Sequence, residues 1–143
     1  MISPIPDFEP LTKKVIACGI EVHKTLGPGL LESVYQECMV MELKSADLEV
    51  QSDQRVPIEY KGRRIRSELK LDLLVGGCIV VELKAVERLH PVYLAQVITY
   101  LKLTGCPAGL LMNFNTASLR SGLRRLDHPD LYKQKQSAIP VIL

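Results

Sequence analysis

Three side chains in this sequence have the types and spacing of a hydrolytic site: Asp72 in LKLDLLV, and Glu82 and Lys84 in VELKAV. In an extended chain side chains alternate, so Glu82 and Lys84 share one face while Val81 and Leu83 take the other. Both acidic residues lie in apolar stretches, where a carboxylate is costly unless it is paired or bound to a metal. Two carboxylates on one face also repel each other unless something positive sits between them. A hard divalent cation with oxygen ligands meets that need; Mg2+ is the expected ion, with Mn2+ as its substitute. The main-chain carbonyl of Leu83 could add a ligand. Such a cation polarises a phosphoryl oxygen and lowers the pKa of bound water. Lys84 would then orient or activate the attacking water, or neutralise the developing charge. With no conspicuous His or Cys nucleophile, the set points to phosphodiester hydrolysis. Taken alone, an acid two residues before a lysine is more often a solvated ion pair. The apolar surroundings are what argue against that here.

Whether Asp72 meets Glu82 depends on the turn between them. A two-residue loop at Gly76–Gly77 pairs Asp72 with Val81 and sends Glu82 to the opposite face. A three-residue loop restores the match. With residues 75–77 in the loop, Glu82 is a diagonal neighbour of Asp72 at roughly 7–8 Å; with residues 76–78, the two face each other at roughly 5 Å. A three-residue hairpin ending in a left-handed glycine is common, and Gly77 can adopt that conformation. The sequence therefore predicts an odd-length loop or an equivalent bulge.

The elements that must carry these residues follow from periodicity and breakers. Leu11 to Leu26 reads as a helix, broken by GPG at 27–29. A second helix runs from near Leu30 to about Ala46, with Leu31, Val34, Tyr35, Cys38, Met39, Met41 and Leu43 on a wide apolar face. Three strands follow: QRVPIEYKG (54–62), where Pro57 suits an edge, RRIRSELKLDLLV (63–75) and CIVVELKAV (78–86). They form an antiparallel meander. His90-Pro91 starts a helix that ends at Gly105. PAGLLMNF (107–114) is a further strand, reached by crossover onto the same sheet. The tail from Asn115 is polar and basic, with a weakly apolar end, AIPVIL. The fold class is α/β, a mixed sheet flanked by helices. Residues 1–10 read as a flexible arm, 11–126 as the domain and 127–143 as a tail.

Composition agrees with one globular domain of 143 residues, 47% apolar and 24% charged. Only 5% of residues are aromatic and none is Trp, which argues against a base-stacking platform for single strands. The net charge of +2 permits a polyanionic partner without demanding one. Cys18, Cys38, Cys78 and Cys106 are scattered, with no CxxC pair, and read as reduced thiols. The N-terminus lacks the pattern of a signal peptide, and no apolar run is long enough to span a membrane. The expected location is cytoplasmic.

Two further motifs complete a recognisable set. GLLESVY holds Gly29, Glu32 and Tyr35 in G-x-x-E-x-x-Y spacing, and Gln96 and Tyr100 form Q-x-x-x-Y on one helix face. With LDLLV and VELKAV, these closely resemble the GxxExxY family of bacterial proteins, a branch of the PD-(D/E)XK nuclease superfamily, from about Val15 to Arg125. The resemblance implies a restriction-endonuclease-like core. It implies Asp72 and Glu82 as metal ligands and Lys84 as the catalytic lysine. Glu32 resembles a helical glutamate that reaches the metal directly or through water. Gln96 resembles a glutamine that positions a phosphate or Lys84. For Tyr35 and Tyr100, core packing with a bonded hydroxyl stands beside a functional role. The turn Gly76-Gly77-Cys78 departs from the pattern, in which a polar residue is expected before the last strand.

The function implied is a Mg2+-dependent nuclease acting on nucleic acid, with DNA as the expected substrate. Arg64 and Arg66 in KGRRIR and Arg124 and Arg125 in RSGLRR are candidate phosphate contacts, as is Tyr100 for nucleic acid generally; basic runs of this kind are more often simply solvated faces. On strict alternation Arg64 and Arg66 share Asp72's face. Phosphate contacts give affinity without sequence specificity. Two other readings stand beside this one: a non-catalytic nucleic-acid-binding or assembly module that retains the fold, and an enzyme acting on a smaller phosphodiester. A homodimer would suit cleavage of two strands, although the sequence shows no interface.

Overall fold

The computed structural model describes residues 9–130. Two helices, α1 (Glu9–Leu26) and α2 (Glu32–Ser45), precede the meander β1 (Val50–Tyr60), β2 (Arg63–Val75) and β3 (Ile79–Lys84). Helix α3 (Pro91–Thr104) leads to β4 (Ala108–Asn113), and a 3-10 turn at Leu119–Gly122 leads to β5 (Leu123–Asp127). The strands form one sheet in the order β1-β2-β3-β4-β5. Only β3 and β4 run parallel, and α3 is the crossover that a parallel pair requires. The expected mixed sheet, a meander plus a crossover strand flanked by helices, is the one observed.

Helices cover both faces of the sheet. Val15, Cys18 and Val22 of α1 and Tyr35, Met39 and Leu43 of α2 pack on Val81, Leu83, Leu110 and Met112. Val97 and Leu101 of α3 pack on Leu71, Val80 and Leu111 across the sheet. All six residues of β4 are buried, as a strand covered on both faces must be. Helix α3 is tightly seated because Gly109 carries no side chain: a Cβ there would lie 2.7 Å from Cγ1 of Val97. Its start is set by Pro91 and by the His90 ring, which accepts from the N–H of Val92, and its end by left-handed Gly105.

Two boundaries and one strand differ most from expectation. Helix α1 begins at Glu9 and β1 at Val50, each earlier than its periodicity suggests. Pro57 lies in the edge strand β1, with a register irregularity between Pro57 and Glu59, where a missing N–H breaks no inner ladder. Strand β5 falls in what reads as polar tail, because a short edge strand carrying Arg124 and Arg125 has little apolar signal. Residues 1–8 of the expected arm, and 131–143 with AIPVIL, lie outside the described residues.

The β1–β2 hairpin closes through Lys61 and Gly62, both at positive φ, the conformation of a two-residue type I′ turn. Midway along it the strands exchange faces. Val50, Leu73 and Val75 belong to the α1–α2 core, whereas Val56, Leu69 and Leu71 pack with α3. The exchange falls where Asp53 takes φ 52° and the ladder passes from Ser52↔Leu73 to Gln54↔Leu71. Alternation is therefore broken beside Asp72, and it cannot be carried from Asp72 out to Arg64 and Arg66.

Candidate active site

The turn after β2 has the odd length that the site needs. Val75 pairs with Ile79, so Gly76, Gly77 and Cys78 form a three-residue loop, and pairing continues through Leu74↔Val80 and Leu73↔Val81. Both glycines have positive φ, 59° and 68°, a region that residues with side chains rarely occupy. Carried one step further, this register sets Asp72 opposite Glu82, on strands that part at this point.

Side chains replace the ladder at the parting. The N–H of Asp72 donates to Oε1 of Glu82 at 3.1 Å, and the N–H of Leu83 donates to Oδ2 of Asp72 at 2.9 Å. Each carboxylate is thus fixed by the main chain of the other strand, and both lie together at the fork. Glu82 is only 6% exposed. Burial, followed by the negative charge of Asp72, pushes its carboxyl up to about 8; the Asp72 N–H and the Lys84 ammonium oppose that rise.

Glu82 and Lys84 alternate with Val81 and Leu83, which pack toward α1 and α2, so they face α3. The Lys84 ammonium sits 4.6 Å from the centroid of the Tyr93 ring, a cation–π contact. Its main chain is anchored by the N–H of Phe114, which donates to the Lys84 carbonyl. Just beyond, the buried amide of Asn113 both accepts from and donates to Val86. Tyr100 is half-buried, and its hydroxyl is pushed up by burial and then by the charges of Glu82 and Asp72. Gln96 is exposed on the same helix.

Helix α2 brings Glu32 to the site from the other side. Partial burial raises the Glu32 carboxyl; the Lys84 charge opposes this and the Asp72 charge adds to it, so Glu32 interacts with both. One turn later Gln36 donates to the Asp72 carbonyl at 3.2 Å and to Oδ1 of Asp53 at 3.1 Å. Tyr35 has a structural place. It is fully buried and stacked on Phe114, and its hydroxyl donates to the Gly27 carbonyl and accepts from the N–H of Leu30. It thereby pins the loop that delivers Glu32. Gln36, Tyr93 and Asn113 were not legible as site residues. Tyr93 alone left a trace, three residues before Gln96 on the same helix face.

The donor set suits a hard cation: two carboxylates at the fork and the adjacent Leu83 carbonyl. Among the described residues no three His, Cys, Asp or Glu side chains converge as a metal-binding group. Mg2+ commonly binds through one or two carboxylates and keeps several waters, so Asp72 and Glu82 fit it, with Glu32 nearby.

The candidate phosphate contacts are dispersed. Arg64 and Arg66 are exposed on the outer β1–β2 hairpin, where Arg64 lies 3.5 Å from Glu68. Glu82, Leu111 and Arg124 are in register across β3, β4 and β5, so Arg124 lies in the row of Glu82, two strands away. Arg125 takes the other face and forms ion pairs with Glu9 of α1 and with Asp127.

A meander, a crossover helix and a parallel strand form a core consistent with a restriction-endonuclease-like fold, with a lysine beside facing carboxylates at its strand fork. The chain matches the PD-(D/E)XK nuclease superfamily over residues 9–126 and belongs to it. Members are generally phosphodiesterases that use divalent metals on nucleic acid, which points to nuclease activity here. No curated protein matches the chain. Among the described residues no helix is long and apolar enough to cross a membrane.

Proposed function

We propose that this chain is a Mg2+-dependent deoxyribonuclease of the GxxExxY branch, with Mn2+ as a substitute ion. One observation carries the reading: Asp72 and Glu82 are held together by reciprocal bonds to β2 and β3, with Lys84 following on the face of Glu82. Asp72, Glu82 and the Leu83 carbonyl would hold the cation, with Glu32 reaching it directly or through water. A divalent cation there supplies Lewis-acid polarisation of a phosphoryl oxygen and an acidified water. Lys84 places a positive charge where the phosphoryl group gains negative charge. Tyr93 restrains the lysine, and Gln96 contacts a phosphate or Lys84. All four cysteines are free thiols, which supports a reducing, cytoplasmic setting.

The test uses purified protein with labelled linear, circular, branched and single-stranded DNA in Mg2+ or Mn2+. Wild type should cleave at least one of these, Glu82→Ala should not, and Lys84→Ala should cleave far more slowly. If wild type and both variants are equally inert yet all bind DNA, the chain is a binding module that retains the fold.

A further inference from the structure

The β1–β2 hairpin outlasts the sheet that supports it. Pairing of β2 with β3 ends at Leu73↔Val81, whereas pairing with β1 continues to Tyr60↔Arg63. Val56, Leu69 and Leu71 still rest on α3. Beyond them, every residue from Arg63 to Glu68 is exposed. At about 3.3 Å per residue, this free ribbon begins about 13 Å from Asp72 and ends about 30 Å from it. It leaves from the fork that holds Asp72 and Glu82, at the Lys84 end of β3.

The ribbon also carries a basic excess. Residues 57–68 carry Lys61, Arg63, Arg64 and Arg66 against Glu59 and Glu68, a net +2 that equals the formal charge of the whole chain. Among the described residues Arg63 and Arg66 form no ion pair. Charge on an exposed edge discourages strand pairing between molecules, but that role does not call for Tyr60 and Ile65, which stand 63% and 40% exposed at the same tip. A basic two-stranded ribbon with apolar side chains at its tip has the width and charge to enter the major groove of a duplex, about 12 Å across. Its reach from the fork is close to one duplex turn, about 34 Å.

We infer that the β1–β2 ribbon is a duplex-binding arm, which grips a groove about one turn from the phosphate to be cleaved at the Asp72–Glu82 fork. The arm rests on the nuclease reading and adds to it the choice of double-stranded over single-stranded nucleic acid. Its arginines contact phosphates, so they set affinity and salt dependence rather than sequence preference.

The test is fluorescence anisotropy in EDTA with labelled duplexes of about 24 and 10 base pairs, roughly two turns and one, and a single strand of the longer length. Wild type is compared with the triple variant Arg63→Ala, Arg64→Ala, Arg66→Ala and with Tyr60→Ala, each confirmed folded by thermal melt. The triple variant should bind the long duplex about tenfold or more weakly, with the salt slope falling by roughly 0.9 for each phosphate no longer neutralised. On the short duplex, which extends only about 17 Å to either side when centred on the fork, the loss should be smaller. Tyr60→Ala should weaken the long duplex without changing the salt slope. Unchanged affinity and slope in the triple variant would overturn the arm, as would an equal weakening on the single strand. If wild type nevertheless cleaves DNA, the nuclease reading survives that result; if wild type neither binds nor cleaves any substrate, both fall.

Discussion

Asp72 and Glu82 face each other where β2 and β3 separate, and each accepts a hydrogen bond from the other strand's main chain. The N–H groups that the parting ladder would leave unpaired thus hold the two carboxylates side by side. Their mutual repulsion is the electrostatic strain that a cation relieves.

That strain makes stability depend on pH. Glu82 is raised from 4.5 to about 8 by burial and then by the Asp72 charge. Between those values the folded protein keeps a proton that the unfolded chain has lost. Stability should therefore fall as pH rises across the window, by up to about 1.4 kcal/mol per pH unit. Glu82→Gln lacks this proton, so in EDTA its Tm relative to wild type should climb from pH 5 to pH 8. A constant difference between the two melting curves would contradict the buried, raised carboxyl.

Lys84 should matter to rate more than to binding. Removing one preorganised positive group costs about 10²–10³ in rate, so Lys84→Ala should lower single-turnover cleavage by that factor with duplex affinity in EDTA nearly unchanged. Tyr93→Leu removes a cation–π interaction worth about 0.5–1 kcal/mol and should slow cleavage only a few-fold. Wild-type rates in Lys84→Ala would remove the lysine from the chemistry.

Tyr35 should behave as a structural residue. Tyr35→Phe deletes the hydroxyl bonded to Gly27 and Leu30 and should cost about 1–3 kcal/mol, read by urea denaturation. Below its melting temperature the variant should cleave at the wild-type rate. A large rate loss at unchanged stability would give the hydroxyl a role in the reaction.

The close seat of α3 can be probed at Gly109. Gly109→Ala must displace Val97 and should cost about 1–3 kcal/mol as overpacking. Because α3 carries Tyr93, Gln96 and Tyr100, cleavage should fall along with stability, whereas Val97→Ala in the same background should recover part of both.

The meander, the crossover and the limits of α3 were legible because local signals carry them: Gly76–Gly77, His90-Pro91 and Gly105 each act within a few residues. The odd loop was legible because only an odd-length connection puts Asp72 and Glu82 on one face. Strand β5 was not, since LRRLD is short, charged and at an edge. The face exchange at Asp53 was hidden because a left-handed Asp leaves no mark in hydrophobic alternation. Gln36 and Asn113 support the site through bonds across distant elements, which spacing along the chain does not encode.

The most direct measurement of the central claim is anomalous diffraction from crystals of the protein soaked in Mn2+. The account predicts a peak bridging the carboxylates of Asp72 and Glu82, absent from crystals of Glu82→Gln. A peak elsewhere with none at the fork, or one unchanged in Glu82→Gln, would contradict it.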